Sequence, residues 1–191
     1  MSVDNAEFVV ADAQTYAFAA GAFDLVISQF GLMFFDDPVS AFANLRRALA
    51  SGGRVAFVCW QGLEANEWVS VVGRAVAHRV ALPDLGGLAG GPGMFALKNP
   101  GETTALLGAG GFTQVEIEPI SPAILLGGGG TLDESIEFLL GMGIARGLLG
   151  RLEPEARAAA IKSVRGTLAE RYESGVGVRL GTGAWLVSTR A

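Results

Sequence analysis

The chain has 191 residues, half of them apolar and only 17% charged, so burial can offset ordering entropy and a disordered tail is excluded. Lys plus Arg number 14 against 19 Asp plus Glu, a net charge of −5 with a pI near 4.9, which leaves no basic stripe for nucleic-acid phosphates. A single Cys, Cys59, excludes an internal disulfide framework and fits a cytoplasmic protein.

Met1-Ser2-Val3-Asp4-Asn5 has neither a basic nor an apolar signal region, so no secretory leader is expected. Glu7-Phe8-Val9-Val10-Ala11 reads as a buried strand that stops at Asp12. Phe23 to Ser28 reads as a second strand, introduced by Gly21. The most apolar stretch, Leu25 to Phe35, is about 11 residues against the roughly 20 of a helical membrane span, so no membrane partner is expected. Asp37-Pro38 opens a helix, with Asp37 as N-cap and Val39, Phe42, Leu45 and Leu49 on one face. Gly52-Gly53 is expected to stop that helix, and Arg54 to Trp60 to form a third strand. Strand, helix and strand make a βαβ unit with parallel strands and a right-handed crossover. So low a charge content suggests strands buried on both faces.

A helix is expected from Asn66 to about Val80, with Trp68, Val72, Val76 and Arg79 on a common stripe. Residues 83–101, rich in Gly and Pro, read as a loop. Asn99-Pro100 caps a short helix that Gly110-Gly111 closes, and Val115 to Glu118 alternates like a half-exposed strand. Gly127 to Gly130 reads as a joint, followed by a capping box of Thr131 and Glu134. A helix from about Pro154 to Tyr172 and a strand from Ala184 to Thr189 complete the pattern.

Three segments taken together carry a resemblance. They are Val10-Ala11-Asp12-Ala13-Gln14, Phe23 to Ser28, and Asn44-Leu45-Arg46-Arg47-Ala48-Leu49 with Ser51-Gly52-Gly53-Arg54. Ala109-Gly110-Gly111-Phe112 and the terminal strand with Trp185 add to them. The combination resembles the class I S-adenosylmethionine-dependent methyltransferases of the ubiquinone and menaquinone biosynthesis type. The resemblance implies an α/β fold: a partial Rossmann-like sheet, mostly parallel, with an antiparallel C-terminal strand and a helical cap. It implies one domain over residues 1–191, N-terminally incomplete, with residues 120–180 as the cap insertion.

The family opens with a strand and a Gly-rich turn into a helix, which holds the methionine part of the cofactor. Only six residues precede the strand expected at Glu7, too few for the two βα units that would supply those parts. Gly127 to Gly130 is not a convincing substitute, because Pro119 and Pro122 break the segment before it.

The resemblance implies S-adenosylmethionine as cofactor. It assigns the adenine contact to the Asp12 carboxylate and the Ala13 N–H; on the residues alone, Asp12 caps a turn. Ser28 and Gln29 would line the methionine end. Phe34, Trp60 and Phe95 are candidate walls for a small methyl acceptor, with core packing as the alternative for each. Arg46 and Arg47 read as a solvated helix face. His78 is the sole His, which excludes a two-His metal site or a His relay, and no catalytic residue stands out. Cys59 reads as an inert core thiol. Two functions follow: methyl transfer to a small apolar molecule, impaired in this chain by the absent Gly-rich loop, or a non-catalytic module for dimerisation or ligand binding. Dimerisation would use an exposed sheet edge.

Overall fold

A computed structural model describes residues 4–77 and 91–191. The first regular unit forms as its sequence dictates. β1 (Phe23–Gln29) leads through a single turn of 3₁₀ helix into α1 (Pro38–Ala48), and α1 returns to β2 (Leu49–Trp60). The Asp37 carboxylate caps α1 by accepting the Ser40 backbone N–H at 3.0 Å, and Pro38 takes the first helical position. Phe42 and Leu45 are buried beneath α1, whereas Val39, expected on the same face, is exposed.

β1 and β2 pair in parallel, with Ile27 opposite Ala56 and Gln29 opposite Val58. Gly52 does not stop α1. The helix ends at Ala48, and Gly52 (φ 77°) lies inside β2, where the register jumps from Phe23–Leu49 to Leu25–Arg54. A left-handed residue inside a bulge is where glycine is least costly.

α2 (Glu67–Val76), α3 (Pro100–Ala109) and β3 (Thr113–Ile120) follow, and β7 (Ala184–Arg190) ends the chain. The main sheet has the order β1-β2-β7-β3. β7 runs antiparallel to both β2 and β3, so β1, β2 and β3 share one direction and the last strand alone is reversed. This is the α/β architecture expected from the sequence.

Between β3 and β7 lie β4 (Ala123–Leu125), α4 (Leu132–Gly141), α5 (Gly143–Leu149), α6 (Pro154–Ala169), β5 (Tyr172–Glu173) and β6 (Gly177–Gly181). β4, β6 and β5 form a small antiparallel sheet that the sequence reading did not anticipate, and Tyr172 belongs to it rather than to α6. Its tightest point is Gly177 (φ 123°), where a Cβ would stand 2.9 Å from the Gly129 Cα. The capping box of α4 forms as expected: Thr131 accepts the Glu134 N–H, and Glu134 accepts the Thr131 N–H at 2.7 Å.

Two cores result. One lies beneath the main sheet around Phe42, Phe57, Leu107, Phe112 and Val187. The other fills the cap around α2, α4, α5, α6 and β6, with Val72, Leu139, Val164 and Leu180 at its centre. Trp60 packs against both.

Two expectations fail. Glu7 to Ala11 form no strand; Phe8, Val9 and Val10 are exposed, because an extended segment needs a hydrogen-bonding neighbour and no described strand lies beside it. Among the described residues, the main sheet is covered on one face only. Leu25 and Ile27 of β1 and Leu186 of β7 are exposed on the other, so the strands are not buried on both faces. Among the described strands, β1 lies at an edge of the main sheet.

Candidate functional site

The carboxyl ends of β1 and β2, with the start of β7, define one end of the main sheet. Ligands bind at this end of open α/β sheets. β1 ends here in Ser28 and Gln29, which border an open depression of about 420 Å³ together with Ile27, Val58 and Leu186. The next residue, Phe30, has φ 58° and donates its backbone N–H to the Val58 carbonyl at 2.9 Å. Its ring stacks on Trp60 at 3.9 Å. Ser28, Gln29 and Trp60 are therefore brought to one edge.

α1 begins at the same end, because it runs back from the carboxyl end of β1. The Asp12 turn is tied to that start: Gln14 Oε1 accepts the Asp37 backbone N–H at 3.0 Å. Asp12 is not at a strand end, contrary to expectation. Its carboxylate caps a turn, accepting the Gln14 N–H at 2.9 Å and the Thr15 hydroxyl at 3.2 Å. A carboxylate has about four lone-pair sites, so Asp12 retains capacity to accept an exocyclic amine. The residue is exposed, as a ligand contact requires.

Two residues the sequence reading undervalued position this turn. Asn44 Nδ2 donates to the Ala13 carbonyl at 3.1 Å and to the Tyr16 carbonyl at 2.9 Å. Arg47 donates to the Phe18 carbonyl and to Asn44 Oδ1, each at 2.8 Å. Arg46 Nε donates to the Gly111 carbonyl at 3.3 Å. The two arginines are thus anchors for neighbouring loops, not merely a solvated face. Their signal was the Asn44-Leu45-Arg46-Arg47 run, whose i, i+3 spacing sets Asn44 and Arg47 side by side.

Asn66 was passed over as well. Fully buried, it donates to the Gly62 carbonyl at 2.9 Å and the Gly183 carbonyl at 3.2 Å, and accepts the Gly183 N–H at 3.3 Å. It locks the start of β7 to the start of α2, and it also donates to the carbonyl of Gln61, the residue after Trp60, at 3.3 Å.

The remaining candidates separate. Phe34 is 56% exposed on its 3₁₀ turn, whereas Phe95 is fully buried and offers no surface to an acceptor. Its place on the acceptor wall is corrected to one in the protein interior. Cys59 is buried, and desolvation pushes its thiol up to about 12. His78 lies outside the described residues. Among the described residues no cluster of three His, Cys, Asp or Glu side chains could hold a metal, and no helix is long and apolar enough to cross a membrane. The Gly127–Gly130 turn does join a strand to a helix, but in the cap sheet. Glu134 already occupies the N-terminus of that helix, so the turn is a poor cradle for an anion.

Comparison with known proteins finds relatives for part of the chain and for its fold. Residues 2–57 match the family described as the methyltransferase domain. A stretch of 53 residues is 42% identical to the aklanonic acid methyltransferase DauC of Streptomyces sp. strain C5, covering 28% of this chain. The chain spans 24% of the length of that relative. Two solved structures share the fold, each with a TM-score of 0.51 at 14% identity. One is a protein of Bacillus halodurans C-125 assigned to the methyltransferases, with 96% of this chain and 76% of that one aligned. The other is the YcgJ protein of Bacillus subtilis, with 94% and 68% aligned. Residues 2–57 thus carry the methyltransferase-domain signature, and the chain shares the fold of these two structures.

Proposed function

We propose that the chain takes part in S-adenosylmethionine-dependent methyl transfer to a small, apolar molecule. The carrying observation is where the matched segment lies: residues 2–57 include both the Asp12 turn and the Ser28-Gln29 strand end. In this reading Asp12 and Ala13 hold the adenine, Ser28 and Gln29 face the methionine end, and Trp60 with the exposed Phe34 forms the acceptor wall. The open valences of Asp12 and the exposure of Gln29 suit those roles. The bound cofactor supplies an electrophilic methyl group on sulfonium, which leaves a neutral thioether. The chain's residues then have only to orient the acceptor and exclude water, effects worth up to roughly 7–11 kcal/mol in favourable cases. The relative from Streptomyces is named for an organic acid, which supports a small-molecule acceptor. The acidic balance disfavours nucleic acid, and a buried thiol without a disulfide partner suits the cytoplasm.

No glycine cluster among the described residues forms a strand-to-helix turn at the carboxyl edge of the main sheet. We therefore expect residues 1–191 to bind the cofactor weakly. Titration calorimetry with S-adenosylmethionine tests this: half-saturation above about 100 µM agrees, and a Kd near 1 µM rejects the impairment.

The exposed edge favours a second reading, a non-catalytic module that pairs with a second copy of itself. Phe23, Leu25 and Ile27 on the β1 edge are the observation behind it. A stable dimer with no measurable cofactor binding would select this reading over methyl transfer.

A further inference from the structure

The face of the main sheet that no described element covers is not uniformly apolar. Arg54 of β2 and Arg190 of β7 stand directly opposite each other in the antiparallel register, and both are exposed. Like charges placed opposite one another across a ladder destabilise it. Neither guanidinium has an ion-pair partner among the described residues.

The pair borders a depression of about 280 Å³, with Leu25 and Ala56 as its apolar part and Gln114, Glu116 and Ser188 on the β3 side. Gln114 holds a left-handed backbone (φ 52°) at the irregularity in the β3–β7 register between Thr113 and Glu116. Residues with side chains seldom adopt that conformation, and those that do gather at ligand sites. Glu116 faces Ser188, whose hydroxyl it accepts at 3.5 Å, and pairs with neither arginine. Two cations against one anion leave the depression with a cationic excess.

A second depression, of about 420 Å³, adjoins the first through Ala56 and is walled by Ile27, Val58 and Leu186. Arg54 and Val58 are four residues apart on one strand, about 13 Å, comparable to an extended chain of roughly ten carbons. A cationic head and an apolar floor in line are complementary to an amphiphile with an anionic head. A guanidinium is a planar fork that fits a carboxylate, and two neighbouring forks offer enough donors for its four or so lone-pair sites.

We propose that Arg54, Arg190 and Gln114 bind the carboxylate of a medium-chain carboxylic acid, whose chain lies over Ala56 toward Ile27, Val58 and Leu186. One carboxylate turns a repulsive pair into two attractive ones, and the chain covers apolar surface that water otherwise wets. Arg54 and Trp60 lie at opposite ends of the β2–β7 ladder, so the site is independent of the methyl-transfer reading.

The test uses the whole chain, labelled with ¹⁵N, and three probes of one chain length: octanoate, octan-1-ol and octylammonium. Octanoate is expected to shift the amides of Arg54, Ala56, Gln114 and Ser188 in a saturable way, with half-saturation near about 1 mM. The alcohol and the ammonium should bind about threefold more weakly or worse. Arg54→Gln and Arg190→Gln should each weaken octanoate about 1.5- to fivefold, the range for one exposed ion pair, and leave octan-1-ol as before. Leu186→Ser should weaken both octanoate and octan-1-ol. Octan-1-ol or octylammonium binding as tightly as octanoate makes the face merely apolar and overturns the proposal. Amides that stay still at about 10 mM octanoate overturn it as well. Sedimentation velocity with and without octanoate tests the other occupant. A dimer that octanoate leaves intact, with these amides unmoved, gives the face to a second copy and rejects the carboxylate site. The unsubstituted protein decides the question even where a variant does not fold.

Discussion

At Cys59 a single side chain shows how burial sets chemistry. Its thiol titrates near 12, so almost no thiolate exists at neutral pH, and thiolate is the reactive form. Native protein should therefore leave a disulfide reagent such as dithionitrobenzoate unconsumed at pH 8, and denatured protein should consume one equivalent. Rapid native labelling would contradict the packing around β2. Glu134 works in the opposite sense. Hydrogen bonds from the Thr131 backbone and hydroxyl hold its carboxyl below the ordinary 4.5, so its folded pKa lies below its unfolded one. The cap contributes stability above about pH 4.5, and that contribution is lost as pH falls through the lower, folded value. Glu134→Gln should flatten this part of the acid unfolding curve, with melting temperatures between pH 3 and 6 as the readout. Asp37, held down mainly by the Ser40 hydroxyl, adds a loss of the same sign below its ordinary 3.8.

At the scale of elements, α1 ties the parts together. Phe42 is fully buried and meets the rings of Phe35, Phe57 and Phe112 at 6.0 to 6.4 Å between centroids. Phe42→Ala should cost about 3–5 kcal/mol in a denaturant titration, the range for emptying a large aromatic site. A cost below about 1 kcal/mol would mean that this core is loosely formed. The elements that were legible in the sequence carry their own local signals: Asp37-Pro38 for α1, Asn99-Pro100 for α3, Thr131 with Glu134 for α4. Those that were not legible depend on distant partners. Phe8 to Val10 look like a strand by composition, but pairing, not composition, makes a strand. The strands β4 and β5 are three and two residues long, too short for a period to show, and exist because β6 lies between them. The site divides in the same way. Asp12, Ser28 and Gln29 could be singled out because motif order carried them, whereas Asn44, Arg47 and Asn66 anchor carbonyls distant in the chain, those of Ala13, Tyr16, Phe18 and Gly183, partners that local spacing does not name.

At the scale of the whole molecule, two features pull in different directions. The main sheet has an open edge at β1 and an uncovered face carrying Ile27 and Leu186, which favours association. A charge on that strand opposes pairing, so Ile27→Lys should shift any dimer seen by sedimentation velocity toward monomer. An unchanged dimer would place the contact elsewhere. The other feature is the gathering of the Asp12 turn, the end of β1 and the stacked Phe30 and Trp60 rings at one end of the fold, which is the central claim. Residue-resolved NMR during titration with S-adenosylmethionine tests it most directly. The account predicts that the amides of Asp12, Ala13, Ser28 and Gln29 move together, with half-saturation at about 0.1–1 mM. Amides that stay still at roughly 5 mM, or shifts confined to other parts of the chain, would contradict it.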